Sequence, residues 1–93
     1  MKLPSKFLIK GEEYEVSVAD IDDDTWGLTD DTAKTITLSP SIKGKNLKLT
    51  LLHEFIHACV SELHLDLEAG VEEVLADGLA KCLLDNFEIR PKK

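Results

Sequence analysis

The spacing of apolar residues changes once along this chain, and that change limits what the chain can fold into more than any other feature. Up to Leu38 the spacing is two. Tyr14, Val16 and Val18 alternate with Glu13, Glu15 and Ser17, the pattern of a strand with one buried face. Phe7 and Ile9 alternate with Leu8 and Lys10 just before it, and Lys10-Gly11 fits a tight hairpin turn between the two runs. A second hairpin is expected from Trp26 to Leu38, with Thr29-Asp30-Asp31-Thr32 as its turn and Thr35-Ile36-Thr37-Leu38 as its return strand. Ser39-Pro40 ends it. Beyond this point the pattern is helical. Asn46 suits the N-cap of a helix running to about Leu63, with Leu52, Ile56, Cys59 and Leu63 as its main apolar stripe. A second helix is expected from Glu68 to Asn86, with Val71, Val74, Leu75, Leu79, Cys82 and Leu83 facing inward, weakened slightly by Gly70 and Gly78. Pro91 cannot continue it. A short loop makes the two helices antiparallel neighbours. The expected fold class is α+β: one domain over residues 1–93, a small antiparallel sheet of two hairpins followed by two antiparallel helices.

The first helix contains His53-Glu54-Phe55-Ile56-His57, an H-E-x-x-H match. Residues four apart on a helix stack on one face, so both imidazoles can reach one ion. Glu54 would lie beside that ion, where a general base must be to take a proton from metal-held water. A chance match in a chain this short is expected on the order of once in a few hundred. The flanking residues Leu49, Leu51, Leu52, Phe55, Ile56, Val60 and Leu63 make the helix partly buried, and half-buried imidazoles need partners that a metal would supply.

Catalytic zinc usually has three protein ligands and an open position. His64 does not supply the third. In the elongated motif H-E-x-x-H-x-x-G-x-x-H the third His would fall at Leu63, and Val60 stands at the glycine position. His64 is one residue late, about 100° around the helix. The second helix is the better source. If the chain turns near Asp66, both Glu72 and Glu73 come to the depth of the His pair. Glu73 is followed four residues on by Asp77, which can accept the free N–H of a ligating His and fix its tautomer. Glu72 is followed at that spacing by Ala76, which cannot. Glu73 is therefore the expected ligand, Glu72 the runner-up, and Asp77 the expected outer partner.

His53, His57 and the run Glu73-Val74-Leu75-Ala76-Asp77 resemble the gluzincin type of zincin, with H-E-x-x-H on one helix and E-x-x-x-D on the next. The segment Thr50 to Ala58, preceded by a strand hairpin, is similar to the ImmA/IrrE-like metallopeptidases, above all to short stand-alone versions in phages and prophages. The resemblance is strongest over Thr50 to Asp77 and weaker over Trp26 to Leu38. It implies a zincin-like fold, with a small sheet packed on the active-site helix and a strand edge beside the metal that pairs with an extended peptide. It also implies zinc held by His53, His57 and Glu73, Glu54 as base, peptide hydrolysis, and a cytoplasmic setting in bacteria or phage-infected cells. Larger gluzincins carry a His or Tyr that stabilises the oxyanion. Tyr14 and His64 are the only obvious candidates here, and Tyr14 is expected to pack in the sheet.

Composition narrows the alternatives. A net charge of −7 and a single basic cluster at Arg90, Lys92 and Lys93 argue against nucleic acid as a partner. No apolar run approaches the roughly 20 residues of a membrane span, and Met1 to Lys10 holds too short an apolar stretch for a secretory signal. Cys59 and Cys82 read as two buried helix thiols, not a disulfide or zinc ligands. Asp20, Asp22 and Asp24 mimic the start of a calcium loop, but Thr25 and Asp31 replace its Gly and Glu. The expectation is a zinc endopeptidase acting on a protein or peptide. The alternative is a zinc-bearing binding or regulatory module with little or no peptidase activity; a metal-free structural protein is a third.

Overall fold

The computed structural model describes residues 3–22 and 24–90. They form an α+β arrangement of a four-stranded mixed sheet and two helices. The elements are β1 (Lys6–Ile9), β2 (Glu12–Val18), β3 (Gly27–Asp30), β4 (Thr35–Leu38), α1 (Gly44–Glu62) and α2 (Ala69–Asn86). β1 and β2 form the expected hairpin, with Ile9 opposite Glu12. Its turn residues Lys10 and Gly11 both have positive φ, 53° and 85°, as a two-residue turn that matches strand twist requires.

The second hairpin turns two residues later than the sequence implied. Thr29 and Asp30 belong to β3 and face Ile36 and Thr35 of β4. The turn is held by Asp30, whose Oδ1 accepts the backbone N–H of Thr32 and of Ala33, each at 3.0 Å, while Lys34 takes positive φ. An aspartate that binds the amides just after it sets a turn beyond itself, not around itself.

The sheet is not purely antiparallel. Its order is β1-β2-β4-β3, and β2 pairs with β4 in parallel. The second hairpin docks through its return strand because that strand is the more apolar. Ile36 and Leu38 are fully buried beside Tyr14, whereas Leu28 of β3 is exposed. Placing β4 in the middle buries the first pair, at about 1.5–3 kcal/mol for each large side chain. β3 is left at the edge, lying against α1.

α1 is sandwiched. Leu51 and Ala58 pack on the sheet with Tyr14, Ile36 and Leu38. Leu52, Ile56 and Val60 pack on α2. The helix begins at Gly44, before Asn46, and Lys43 at its N-cap makes no side-chain cap bond; the expected Asn46 cap is absent. At its other end, the Tyr14 hydroxyl donates to Glu62 Oε2 (2.6 Å), and the Lys34 ammonium pairs with the same oxygen. Both partners hold the Glu62 carboxyl below its usual range. The Ser61 hydroxyl donates to Asp31 (2.6 Å). These contacts tie the β3–β4 turn to the C-terminal turn of α1.

α2 corrects the sequence reading. Only Ala76 and Ala80 are buried along its length. Val71, Val74, Leu75 and Leu79, expected to face inward, are exposed. Cys82 is exposed too, and Cys59 is half-buried; both thiols are free. Leu63, assigned to the α1 stripe, is half exposed. The face of α2 that carries Glu72, Glu73 and Ala76 points at α1, and a helix cannot turn that face and the Val74–Leu79 stripe to the same neighbour. Small alanines let the two helices approach closely. No described helix is long and apolar enough to cross a membrane.

Candidate metal centre

α1 presents His53 and His57 one turn apart, and their Nε2 atoms lie 3.0 Å from each other. α2 runs antiparallel past them and places the Glu73 carboxylate against both. Oε1 is 2.8 Å from His57 Nε2, and Oε2 is 3.3 Å from His53 Nε2. The opposite ring nitrogens are also engaged. His53 Nδ1 lies 2.8 Å from Asp77 Oδ1, and His57 Nδ1 lies 2.5 Å from Glu72 Oε2. A carboxylate can only accept, so Asp77 and Glu72 favour an Nδ1 proton on each neutral imidazole, while Glu73 offers an acceptor on the Nε2 side.

The consequence is electrostatic. With the protons on Nδ1, two Nε2 lone pairs and a carboxylate face one point. Such a cluster could hold a cation. Among the described residues, His53, His57 and Glu73 form a group able to hold a metal, each offering one donor atom within 4.8 Å of the others. Donors about 2.05 Å from a tetrahedral zinc would stand about 3.3 Å apart. The observed spacings of 2.8 to 3.3 Å fit that ion with shifts of a few tenths of an ångström. A proton competes for the same place. Burial disfavours charging the His57 ring, but the bond to Glu72 and the charges of Glu73, Glu54 and Glu72 outweigh it. The His57 pKa is raised above the ordinary histidine value.

Glu54 is buried and lines the same depressions as His53 and as His57 and Glu73. The Thr29 hydroxyl donates to its Oε1 (2.7 Å), with the Glu54 carbonyl oxygen 3.0 Å away as a second acceptor. Gly27 lies against the same carboxylate. A Cβ at Gly27 would stand 2.8 Å from Thr50 Cγ2, 2.9 Å from Glu54 Cγ and 3.3 Å from Glu54 Oε2. Only glycine lets β3 approach α1 this closely.

Two depressions flank the cluster. One is lined by Asp24, Trp26, Leu49 and His53 among others, and the second by Leu28, Ser61, Leu65, His57 and Glu73 among others. Glu54 and Gly27 line both. The depressions therefore meet at the carboxylate and follow β3, the edge strand.

Each expected residue can now be placed. His53, His57 and Glu73 come together, with Glu54 beside them and Asp77 on His53. Glu72, the runner-up ligand, instead accepts from His57 Nδ1. Neither oxyanion candidate lines either depression. The Tyr14 hydroxyl is committed to Glu62, and His64 is exposed with positive φ just past the end of α1. Thr29 and Gly27 were not legible in the sequence. The sequence pattern puts Thr29 in a turn, and a glycine at a strand start carries no signal of what it will touch.

Compared with protein-family models, curated proteins and solved structures, the chain matches none.

Proposed function

We propose that the protein is a minimal zincin-like zinc endopeptidase of the cytoplasm, acting on an extended protein or peptide segment. The observation that carries this reading is the convergence of two Nε2 atoms and the Glu73 carboxylate beside a buried Glu54, next to an edge strand. Held by His53, His57 and Glu73, a zinc ion would supply Lewis acidity toward a carbonyl oxygen and would lower the pKa of a water it holds to about 7.

The chain's own residues do the rest. Glu54 takes the proton from the attacking water and delivers it to the nitrogen of the leaving amine. The Thr29 hydroxyl occupies Oε1 and leaves Oε2 for that proton. Asp77 and Glu72 hold the two imidazoles in the tautomer that presents Nε2. The outer edge of β3 offers main-chain N–H and C=O groups to an extended substrate, which would lie across both depressions.

A Glu54→Gln variant tests the assignment. It should bind zinc as the parent does and lose chelator-sensitive cleavage of a peptide library. Cleavage retained at the parental rate removes Glu54 from its role, and failure of the parent to bind zinc at neutral pH removes the whole reading.

One observation favours a second reading. Neither Tyr14 nor His64, the two expected oxyanion donors, lines the depressions beside the cluster. A zinc-bearing binding or regulatory module would need no such donor. It would retain peptides in a zinc-dependent manner without cutting them.

A further inference from the structure

Trp26, the only tryptophan of the chain, is not used by the fold. It is 49 % exposed and belongs to neither core cluster. Its backbone is nevertheless fixed, because its carbonyl oxygen accepts the Ser39 N–H at 2.9 Å and carries the β3–β4 ladder one residue further. Together with Leu49 it lines the depression on the His53 side of the cluster, which encloses about 350 Å³. That volume lies at the low end of ligand pockets, about 300–1,000 Å³. A half-exposed indole on a fixed backbone, facing a concave site, offers a large flat surface to something outside the chain.

Charge adds an independent observation. Asp24 and Asp77 line this depression, Asp31, Glu72 and Glu73 line the other, and Glu54 lines both. No lysine or arginine lines either among the described residues. A zinc ion would offset two of these six carboxylates and leave four. A cleft lined by one sign of charge concentrates the opposite sign.

We propose that the Trp26 depression is a subsite for an arginine of the substrate, so that the protein selects basic segments. A planar guanidinium stacks on an indole face and pairs with carboxylates at its edge. Asp24 is exposed, and Asp77 uses Oδ1 on His53 Nδ1, which leaves Oδ2 for an N–H donor of the guanidinium. Leucine is the poorer occupant, because it would cover these carboxylates without pairing them. Glutamate would add a like charge. His53 lines the same depression, and an extended residue spans about 3.3 Å, so the arginine stands within about two residues of the bond to be cut. This inference rests on the proposed function, in which an extended segment lies across both depressions.

Trp26 emission tests it directly, since no other tryptophan contributes. Zinc-loaded Glu54→Gln is titrated with alanine-rich peptides of equal length that differ at one residue: arginine, its neutral isostere citrulline, leucine or glutamate. The arginine peptide should shift the emission and bind about tenfold more tightly than the citrulline and leucine peptides, with glutamate weakest. Asp24→Asn in the same background should cut that margin to about threefold. Asp20→Asn removes the same charge from the same loop but lines neither depression, and should leave the margin unchanged. Citrulline or leucine bound as tightly as arginine overturns the subsite and leaves the peptidase reading standing; so does a margin that survives Asp24→Asn. Metal content, measured first, reports on zinc separately, and the same order of peptides is expected of the metal-free chain. Binding of none of the four peptides in either form overturns the subsite and the substrate groove together.

Discussion

Replacing Gly27 with alanine adds one methyl group where β3 leans on α1. The new Cβ would lie 2.8 Å from Thr50 Cγ2 and 2.9 Å from Glu54 Cγ, whereas carbon atoms rest at about 3.5–4.0 Å. The overlap is therefore close to 1 Å. Neither neighbour can retreat easily, since both Thr50 and Glu54 are buried. β3 must move off the helix, and Thr29 moves with it. Overpacking of this kind costs about 1–3 kcal/mol. At about 4–8 °C per kcal/mol for a chain of this size, Tm should fall by roughly 5–20 °C. A displacement near 1 Å at a reacting group costs on the order of 10² in rate, so cleavage should drop by about that factor. Zinc affinity should hold within a few-fold, because no donor atom sits on β3. Gly70→Ala is the matched control. The same methyl meets nothing within 4 Å in α2 and should stabilise by up to about 1 kcal/mol through helix propensity. Thermal melts, zinc titrations and peptide cleavage read the three quantities. A Gly27→Ala protein that melts and cleaves like the parent refutes the close packing of strand on helix.

Three further outcomes are expected. Glu72→Gln and Asp77→Asn each weaken the acceptor of an Nδ1 proton and should lower zinc affinity about 10- to 100-fold. Glu73→Ala should lower it further, and equal affinities for all three in a competition titration would contradict the assigned roles. Because the His57 pKa is raised, protons should begin to displace zinc above about pH 6.5, by up to about tenfold per pH unit as this ring charges; affinity flat between pH 5.5 and 8.5 would count against it. In the metal-free protein the sign reverses: charged His57 is the favoured form, its contribution is complete below about pH 6.5, and it fades as pH rises through the raised pKa, which melting curves in chelator will show.

Much of this arrangement is legible in the sequence because it is local. The period-two runs, the Lys10-Gly11 turn and the two helix ranges depend on neighbours a few residues away. The convergence of His53, His57 and Glu73 follows from helical spacing and a short connection. What was not legible depends on rotation and contact. Periodicity finds the Val71–Leu79 stripe but does not say which face of α2 meets α1. Here Ala76 and Ala80 take that place, and the acids beside them reach the histidines. The parallel β2–β4 pairing depends on which strand of the second hairpin is more apolar. The support of Glu54 by Thr29 and Gly27 depends on a contact spanning 25 residues or more.

The sheet order has a consequence for how the chain assembles. Each hairpin closes over a few residues and can form early, within microseconds. Neither is stable alone at this size. They meet only along β2 and β4, whose paired residues are 20 apart in sequence. That union is the one step of the sheet in which closure entropy must be met before any contact repays it. The speed of folding should therefore follow the length and stiffness of the connection between β2 and β3 more closely than the strength of either hairpin.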